Sequence, residues 1–423
     1  MMKVVLDPVH GYIELDDIAR DLISTPRMQR LRRVKQLGFS NLVYPGANHT
    51  RFEHSLGVMH LASMLMSHID SVPEDKKIEL KAASLLHDVG HGPFSHVTEN
   101  LISRYTRRKH DDVKELIGKG EIGETLKKHG LNPGELARHI KGESSIGQVL
   151  SSEIDVDRMD YLVRDAHYTG VAFGVVDYNR LINKMQFYEN KLVVAQGGLK
   201  AAESLLVSRF WMNTSVYYHH VTRISEAMCS KAVEFMIEEE KLDPLRLREM
   251  DDIDLVAAMR QAGGYAGELS RRLDERKLYK RALYTGFEEV GKGVLRHRGK
   301  VGRLESEIAD MAGVTPEDVL VDIPKMPEML EMRALIKTDH KMVPLNDVSH
   351  FVSILQEAHL DNWRIGVYSP KEHCEAVEKA AKDFFDIKKN TKQFKLDEIK
   401  ENHLIHNNYN NYNNYNKSKY NND

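Results

Sequence analysis

The chain has 423 residues, of which 41% are hydrophobic and 29% are charged, so it can bury a large core and is long enough for two or three domains. The formal net charge is only −3, which argues against a general nucleic-acid-binding surface, and the two cysteines form no metal or redox motif. No run of 18 apolar residues and no signal-peptide pattern occur, so we expect a cytoplasmic protein that does not enter a membrane.

The first part of the sequence is predicted to be mostly helical. Residues 3–15 predict two short strands joined by an Asp-Pro turn. Apolar residues at helical spacing then predict helices over 18–37, 55–69, 78–89 and 146–166. A β-hairpin is predicted over 185–196, and one long helix from about 201 to 239. The charged run at 271–283 is interpreted as a solvated helix face.

Beyond residue 310 the pattern changes to a mixture of strands and helices. Strands are predicted at 319–323, 332–337 and 363–369, and amphipathic helices at 348–359 and 371–385. We therefore expect a mostly α part over 1–310 and a small α+β C-terminal domain over 311–388. The remaining residues, 389–423, are rich in Asn and Tyr and are predicted to be disordered.

Side chains of the kind that bind metal ions stand where predicted helices begin or end. The stretch "SLLHDVGHGPFSH" places His87 beside Asp88, His54 lies in "TRFEHS", and Asp157 lies in "EIDVDRMDYLVRD". Imidazole and carboxylate ligands suit Fe, Mn or Zn, and a catalytic site leaves positions open for water and substrate. A lone His-Asp pair is often only a satisfied polar group in a core. With His54 and Asp157 in matching contexts, a metal site is favoured.

Five motifs carry a resemblance to a known family: "DPVHGYIEL", "TPRMQRLRRVKQLG", "YPGANHTRFEHSLGV", "LLHDVGHGPFSH" and "EIDVDRMDYLVRDAHYTG". Together they resemble the dNTP triphosphohydrolase branch of the HD superfamily of phosphohydrolases, over roughly residues 1–230 and more weakly to about 310. The resemblance implies an HD-domain helical bundle with a small β-hairpin, so that 1–310 would be the HD core and its helical extension. The implied activity is hydrolysis of a dNTP, either dGTP or several dNTPs, to deoxynucleoside and inorganic triphosphate.

The resemblance also implies a divalent metal ion (Fe, Mn, Zn, Ni or Mg). Its ligands would be His54, His87, Asp88 and Asp157. Bound metal lowers the pKa of water and neutralises a phosphate oxygen. The proton donor to the leaving 5′-oxygen would be His96 of the "GPFSH" motif, since imidazole suits proton donation near neutral pH. Glu99 stands where relatives carry the orienting Asp.

Further residues match the family's substrate-binding positions. Those implied for the phosphates are His91, His110, Arg51 and Arg158, the last where relatives have Lys. Those implied for the deoxyribose are Gln36, Leu37, Tyr161, Asp165 and Tyr218, of which Tyr218 would exclude a 2′-hydroxyl. Independently of the resemblance, Asp157, Tyr161 and Asp165 are spaced i, i+4 and i+8, so they share one stripe of a helix.

Candidate effector-binding residues are retained only in part. Gln29 and Arg32 match the nucleotide-effector site of regulated animal relatives, but Ser24 stands in place of its Asp and Leu6 in place of an Asn. Without the Asp, the site lacks the carboxylate that would accept from the N–H groups of guanine, which argues against activation by GTP. Binding of another nucleotide effector stays open. We expect a homo-oligomer, a dimer or a tetramer.

Two other functions stay open. One is a different HD phosphohydrolase, acting on a nucleoside monophosphate, a cyclic nucleotide or a single-strand end. The other is a nucleotide-sensing protein with a dormant site. The implied triphosphate and deoxyribose contacts argue against the first, and retention of every metal ligand argues against the second. Of the remaining histidines, His10 is interpreted as bracing its turn, and His60 and His68 as packed or solvent-facing residues.

Overall fold

Helices make up most of the chain in the computed structural model, which confirms the predicted mostly α fold. The structure describes residues 3–387 except 299, 326–332 and 340, and it leaves the side chains of His96, Lys292 and Gln356 undescribed. The predicted disordered tail, 389–423, lies outside the described residues. Within that described part, no helix is both long and apolar enough to cross a membrane.

The helices and strands have the following bounds. The helices are α1 Asp17–Ile23, α2 Pro26–Arg30, α3 Arg51–Ser67, α4 Glu74–Leu86, α5 His96–Thr106, α6 Lys114–Ile117, α7 Gly120–Lys128, α8 Pro133–Ile140, α9 Val156–Thr169, α10 Tyr178–Lys184, α11 Leu199–Met212, α12 His220–Glu238, α13 Asp252–Gln261, α14 Gly264–Asp274, α15 Phe287–Val290, α16 Val301–Ala312, α17 Leu345–Val348, α18 His350–Asp361 and α19 Cys374–Phe384. The strands are β1 Lys3–Asp7, β2 Gly11–Leu15, β3 Met185–Tyr188, β4 Lys191–Ala195, β5 Lys280–Gly286, β6 Leu320–Asp322, β7 Leu335–Lys337, β8 Met342–Pro344 and β9 Arg364–Ser369.

Helix α3 lies at the centre of the larger hydrophobic core. Twelve of its 17 residues are buried, and it packs against both α4 and α9. A helix that is apolar on every side belongs in a core rather than on a surface. Its first turn is fixed by a capping box, in which the Thr50 backbone N–H donates to Glu53. The start of α3, the end of α4 and the start of α9 therefore meet inside the protein.

The predicted long helix over 201–239 is wrong, because it is two helices with a break between them. A π-helical turn at Asn213–Tyr217 ends α11, and the backbone N–H of Tyr218 donates to the Asn213 carbonyl at 2.9 Å. His219 has extended backbone dihedrals and is the N-cap of α12. Apolar residues continue at helical spacing across this turn, so the sequence pattern does not show the break.

The predicted C-terminal strands are present, and they pair with strands that come earlier in the chain. One sheet has the order β3-β4-β7-β8 and another β5-β9-β6, with β4 and β7 parallel.

The interpretation of 271–283 as one helix face is wrong: α14 ends at Asp274, Arg276 has a φ of +55°, and β5 begins at Lys280. The described residues up to 381 form one compact unit. The boundary at residue 310 stays a prediction.

Truncating a side chain of the α3 core tests this packing. Leu61 is completely buried on α3, whereas Leu6 on β1 is 69% exposed. We expect Leu61→Ala to lower the free energy of unfolding by about 2–5 kcal/mol, because it leaves a cavity. The same substitution at Leu6 should change it by less than about 0.5 kcal/mol. Urea unfolding followed by circular dichroism measures both, and equal effects would contradict the placement of α3.

Candidate metal centre

The four predicted metal ligands come together where three helices meet. His54 lies in the first turn of α3, His87 and Asp88 follow the last residue of α4, and Asp157 is the second residue of α9. The Nε2 atom of His54 lies 2.9 Å from Asp157 Oδ1 and 3.3 Å from His87 Nε2. His87 Nε2 lies 3.4 Å from Asp88 Oδ1. Donor atoms of His54, His87 and Asp88 thus lie close enough together to hold one metal ion, and Asp157 Oδ1 lies beside the two imidazole nitrogens.

The chemistry of these donors fits a divalent cation. Nδ1 of His54 is 2.7 Å from Asp160 Oδ2, and Nδ1 of His87 is 2.7 Å from the Ser84 carbonyl oxygen. Both partners are acceptors, so each ring places its hydrogen on Nδ1. The two Nε2 atoms then face each other, and when both rings are neutral their lone pairs are oriented to bind one cation together. Ligand atoms about 2.1 Å from a metal ion lie roughly 3.0–3.4 Å apart, close to the spacing found here.

The electrostatics of the centre also favour a cation. Burial by itself lowers the pKa of His54, but the hydrogen bonds with Asp157 and Asp160 outweigh it and raise that pKa to about 10. Burial opposes the charge of Asp88 too, yet the Arg51 guanidinium holds its pKa well below the usual range. The carboxylates are therefore ionised at neutral pH. A proton can satisfy one nitrogen of the centre, whereas a divalent ion can be bound by His54, His87 and Asp88 together.

Arg51, which was predicted to bind phosphate, lies beside the metal ligands. Its side chain is buried, and Nη1 donates to Asp88 Oδ2 at 2.6 Å while Nε donates to Ser95 Oγ at 2.5 Å. Ser95 and Phe94 both have positive φ values, 32° and 47°. The strained turn places the Ser95 hydroxyl where Arg51 can reach it. Arg51 thereby links the ligand Asp88 to the loop that follows it.

A pair of histidines lies next to Asp88. His91 Nε2 is 3.3 Å from Asp88 Oδ1, and the His91 and His110 rings stack with centroids 4.3 Å apart. Burial lowers the pKa of His91 well below the usual value; burial lowers that of His110 as well, but its hydrogen bond to Glu99 outweighs this and raises it. The pair therefore holds one neutral ring and one that protonates readily. The side chain of His96 lies outside the described residues, although its backbone begins α5.

A second group of polar side chains surrounds Asp165 on α9. The His49 Nε2 lies 2.7 Å from Asp165 Oδ1, and the Tyr217 hydroxyl donates to Oδ2 at 2.7 Å. The ring of Tyr161 meets that of Tyr217 edge-on, with centroids 6.3 Å apart. His49 was not singled out from the sequence, although it lies in the quoted motif "YPGANHTRFEHSLGV". The stripe predicted on α9 thus ends in a polar cluster.

Tyr218 does not join this cluster. The structure places its neighbour Tyr217 against Asp165, while Tyr218 lines a separate cavity of about 200 Å³ together with Arg223, Tyr284 and Trp363. The two tyrosines are consecutive at the end of the π-helical turn, and their side chains point to different sides. In the structure it is therefore Tyr217, and not Tyr218, that lies against Asp165.

The other substrate-binding candidates differ in how the structure engages them. Gln36 is buried, its backbone N–H donates to the His49 carbonyl, and its Oε1 has no hydrogen-bond partner among the described residues. Leu37 packs against the core beside it. Arg158 donates to the Ser152 carbonyl at 2.8 Å and also to Asp155, the N-cap of its own helix. The buried oxygen of Gln36 is the one that is available to a ligand.

The candidate effector residues bond to each other and to nearby backbone. Gln29 Nε2 donates to the Ile23 carbonyl at 2.6 Å, and Arg32 Nε donates to Gln29 Oε1 at 3.0 Å. The guanidinium of Arg32 also lies 3.7 Å from the centroid of the Phe52 ring. These contacts brace the turn after α2. An effector role for the two residues stays a prediction.

Three residues that sequence reasoning missed hold the loop from residue 87 to residue 95. Arg30 and Arg248 donate to its backbone carbonyls, and Asp252 accepts from the Phe94 N–H at 2.7 Å. The accepting carbonyls are those of Val89, Gly90 and His91. Gly90 has no room for a side chain, because a Cβ there would lie 2.0 Å from the His110 carbonyl oxygen. No local pattern links these residues to a loop 60 to 160 positions away.

Comparisons with known proteins agree with this arrangement. The HD domain family matches residues 51–165, which contain all four metal-ligand candidates and Asp165. The HD associated region matches residues 176–396, more than half of the chain. The second match includes the break between α11 and α12 and both of the sheets to which the C-terminal strands belong.

Relatives cover most of the chain. An uncharacterized protein from Methanocaldococcus jannaschii is 35% identical over 88% of this chain and 80% of its own length. The deoxynucleoside triphosphate triphosphohydrolase SAMHD1 homolog of Dictyostelium discoideum is 26% identical over 89% of this chain and 79% of its own. The crystal structure of a phosphohydrolase from Bacteroides thetaiotaomicron is 25% identical, with a TM-score of 0.72 over 87% of this chain and 100% of that one. The chain belongs to the HD-domain phosphohydrolase family.

Proposed function

We propose that the protein is a metal-dependent hydrolase that converts a dNTP to the deoxynucleoside and inorganic triphosphate. The observation that carries the proposal is the stripe on α9, where Asp157 in the metal centre, Tyr161 and the Asp165 cluster follow one another. Eight residues of α-helix span about 12 Å, which leaves room for a pentose and its α-phosphate between the two ends. The Dictyostelium relative carries the name of this activity.

The phosphate end of the stripe has the groups that hydrolysis needs. A divalent ion held by His54, His87, Asp88 and Asp157 would supply an activated water and neutralise a phosphate oxygen. Arg51 contributes positive charge beside Asp88, and His110 contributes more when it is protonated. His96, at the start of α5, is the proposed proton donor to the leaving 5′-oxygen.

The sugar end of the stripe offers acceptors for a 3′-hydroxyl. The Asp165 carboxylate is buried, and the buried Oε1 of Gln36 has no partner among the described residues. A hydroxyl that donates to Gln36 Oε1 would satisfy an atom that is otherwise costly to bury. Tyr217, which donates to Asp165, is placed to crowd a 2′-substituent. The proposed site therefore selects a deoxyribose that has a 3′-hydroxyl.

Removing the charge of one metal ligand should abolish both metal binding and hydrolysis. Asp88→Asn keeps the side-chain shape but weakens the ligand, so we expect more than about a 100-fold loss of activity, since outer-shell changes alone cost 10–100-fold. Asn is preferable to Ala because it keeps a side-chain oxygen that can accept from the buried Arg51, whose acidic partner among the described residues is Asp88. Bound metal is measured by mass spectrometry alongside activity.

The matched control for this variant is Asp177→Asn at the N-cap of α10, where Asn caps as well as Asp does. Asp177→Asn should keep its metal and its activity. Full activity in a metal-free Asp88→Asn protein would contradict the proposed function.

Replacing His96 should affect the chemical step rather than binding. We expect His96→Ala to lower kcat by about 10²–10⁴-fold, the usual contribution of a general acid, while metal content stays unchanged. His68→Ala, at an exposed position near the end of α3, is the control and should have no effect. Steady-state kinetics measure kcat and KM separately. A change confined to KM would make His96 a binding residue instead of the acid.

The choice of sugar and product tests the whole proposal. We expect dGTP to be cleaved faster than both GTP and dideoxy-GTP, with triphosphate as the product. Dideoxy-GTP lacks the 3′-hydroxyl, so the buried Oε1 of Gln36 would stay unpaired. The 2′-hydroxyl of GTP would meet Tyr217. Tyr217→Ala should narrow the preference for dGTP over GTP by at least about tenfold, whereas Tyr218→Ala should not. Product analysis by ion-exchange chromatography decides the outcome. Equal rates on dGTP and GTP, or pyrophosphate as the product, would favour another HD phosphohydrolase.

A further inference from the structure

A fully buried carboxylate, Asp160, lies directly behind the candidate metal ligand His54. Its Oδ2 accepts from His54 Nδ1 at 2.7 Å, and its Oδ1 lies 2.6 Å from His10 Nε2. The side chains of all three residues are at most 1% exposed. Neither Asp160 nor His10 was assigned a role in the site from the sequence. The structure places Asp160 one residue away from the proposed metal, and His10 behind Asp160.

Asp160 is itself held in place by a buried ion-pair chain. Arg164, one helical turn further along α9, donates to both oxygens of Asp160 at 2.9 Å. The other side of the same guanidinium donates to Asp7 Oδ2 at 2.8 Å. Asp7 also accepts from the backbone N–H groups of Val9 and His10 at 2.9 Å. The first strand, its turn and α9 therefore fix the orientation of one carboxylate.

Gly57 on α3 shows that the packing makes room for this carboxylate. A Cβ atom at Gly57 would lie 1.8 Å from Asp160 Oδ1 and 2.5 Å from Arg164 Nη2. Glycine is unfavourable inside a helix relative to alanine, yet α3 carries it three residues after His54. The close approach of α9 to α3 depends on this missing side chain, and it brings Asp160 to Nδ1 of His54.

We propose that Asp160 is a positioning residue for the metal centre. By accepting the Nδ1–H of His54 it fixes the tautomer that has its lone pair on Nε2, and it strengthens that nitrogen as a ligand. His87, by contrast, donates its Nδ1–H to a neutral backbone carbonyl. Of the two imidazoles, His54 is thus the stronger metal ligand. This inference rests on the proposed metal-dependent function and deepens it.

The inference is tested by measuring Zn²⁺ affinity of the full chain in competition with a chelator. Asp160→Asn removes the negative charge and should weaken Zn²⁺ binding about 10–100-fold, the usual cost of losing such a partner. The matched control is Asp322→Asn, which removes the carboxylate from another Arg-Asp pair, that of Arg223. The control should leave Zn²⁺ affinity unchanged. Circular dichroism and thermal unfolding compare the structural cost of the two variants.

A spectroscopic readout separates positioning from general loss of structure. In the Zn²⁺-bound protein labelled with ¹⁵N-histidine, Asp160→Asn should shift the Nδ1 resonance of His54, while that of His87 stays in place as an internal reference. Signals are assigned from their loss in His54→Gln and His87→Gln. If Asp160→Asn does not fold, Gly57→Ala makes the same test, because it displaces the carboxylate without removing a polar group and adds a better helix former.

The outcomes distinguish this inference from the proposed function. A wild-type chain that binds Zn²⁺ tightly, with a folded Asp160→Asn or Gly57→Ala variant that binds it equally well, overturns the positioning role alone. A wild-type chain that binds neither Zn²⁺ nor Mn²⁺ overturns the metal-dependent function and the inference with it. Weaker binding in both variants but not in Asp322→Asn, together with the His54 shift, supports the positioning role.

Discussion

The burial of several charged side chains at the meeting point of α3, α4 and α9 is the constraint on which the rest of this structure depends. His54, Asp88 and Asp160 are almost completely removed from water, and burial of so much polar surface is tolerable only when each group has a partner. Arg51 and Arg164 supply two of these partners from within the protein. The Nε2 atoms of His54 and His87 and a carboxylate oxygen of Asp88 also lie close enough together to hold one cation.

The same constraint explains why distant parts of the chain converge on one short loop. The turn after α4 contains two residues with positive φ and a glycine with no space for a side chain, so it would not hold its shape by local interactions alone. Arg30 and Arg248 donate hydrogen bonds to three of its carbonyl groups, and Asp252 accepts a hydrogen bond from one of its N–H groups. The N-terminal helices and the HD-associated region therefore both contribute to the geometry of the metal centre.

The break between α11 and α12 shapes the sugar end of the proposed substrate site. Without the π-helical turn, Tyr217 would follow the regular α-helical spacing of α11, and its side chain would point in a different direction. With the turn, its hydroxyl completes the hydrogen bonding of Asp165, two turns of α9 away from the metal ligand Asp157. Specificity for the sugar would thus depend on a local irregularity in a region that otherwise packs as ordinary core helices.

The sequence by itself determined the helical class and most of the helices and strands, and its motifs indicated His54, His87, Asp88 and Asp157 as candidate metal ligands. These follow from apolar periodicity and from short motifs whose residues are neighbours in the chain. Only the tertiary structure decided the break at Asn213–Tyr217, the pairing of β5 with β9, and which of Tyr217 and Tyr218 contacts Asp165. It also decided the roles of Asp160 and Arg164. Their partners are far away in sequence or depend on which way a side chain points, and neither a periodic pattern nor a short motif carries that information.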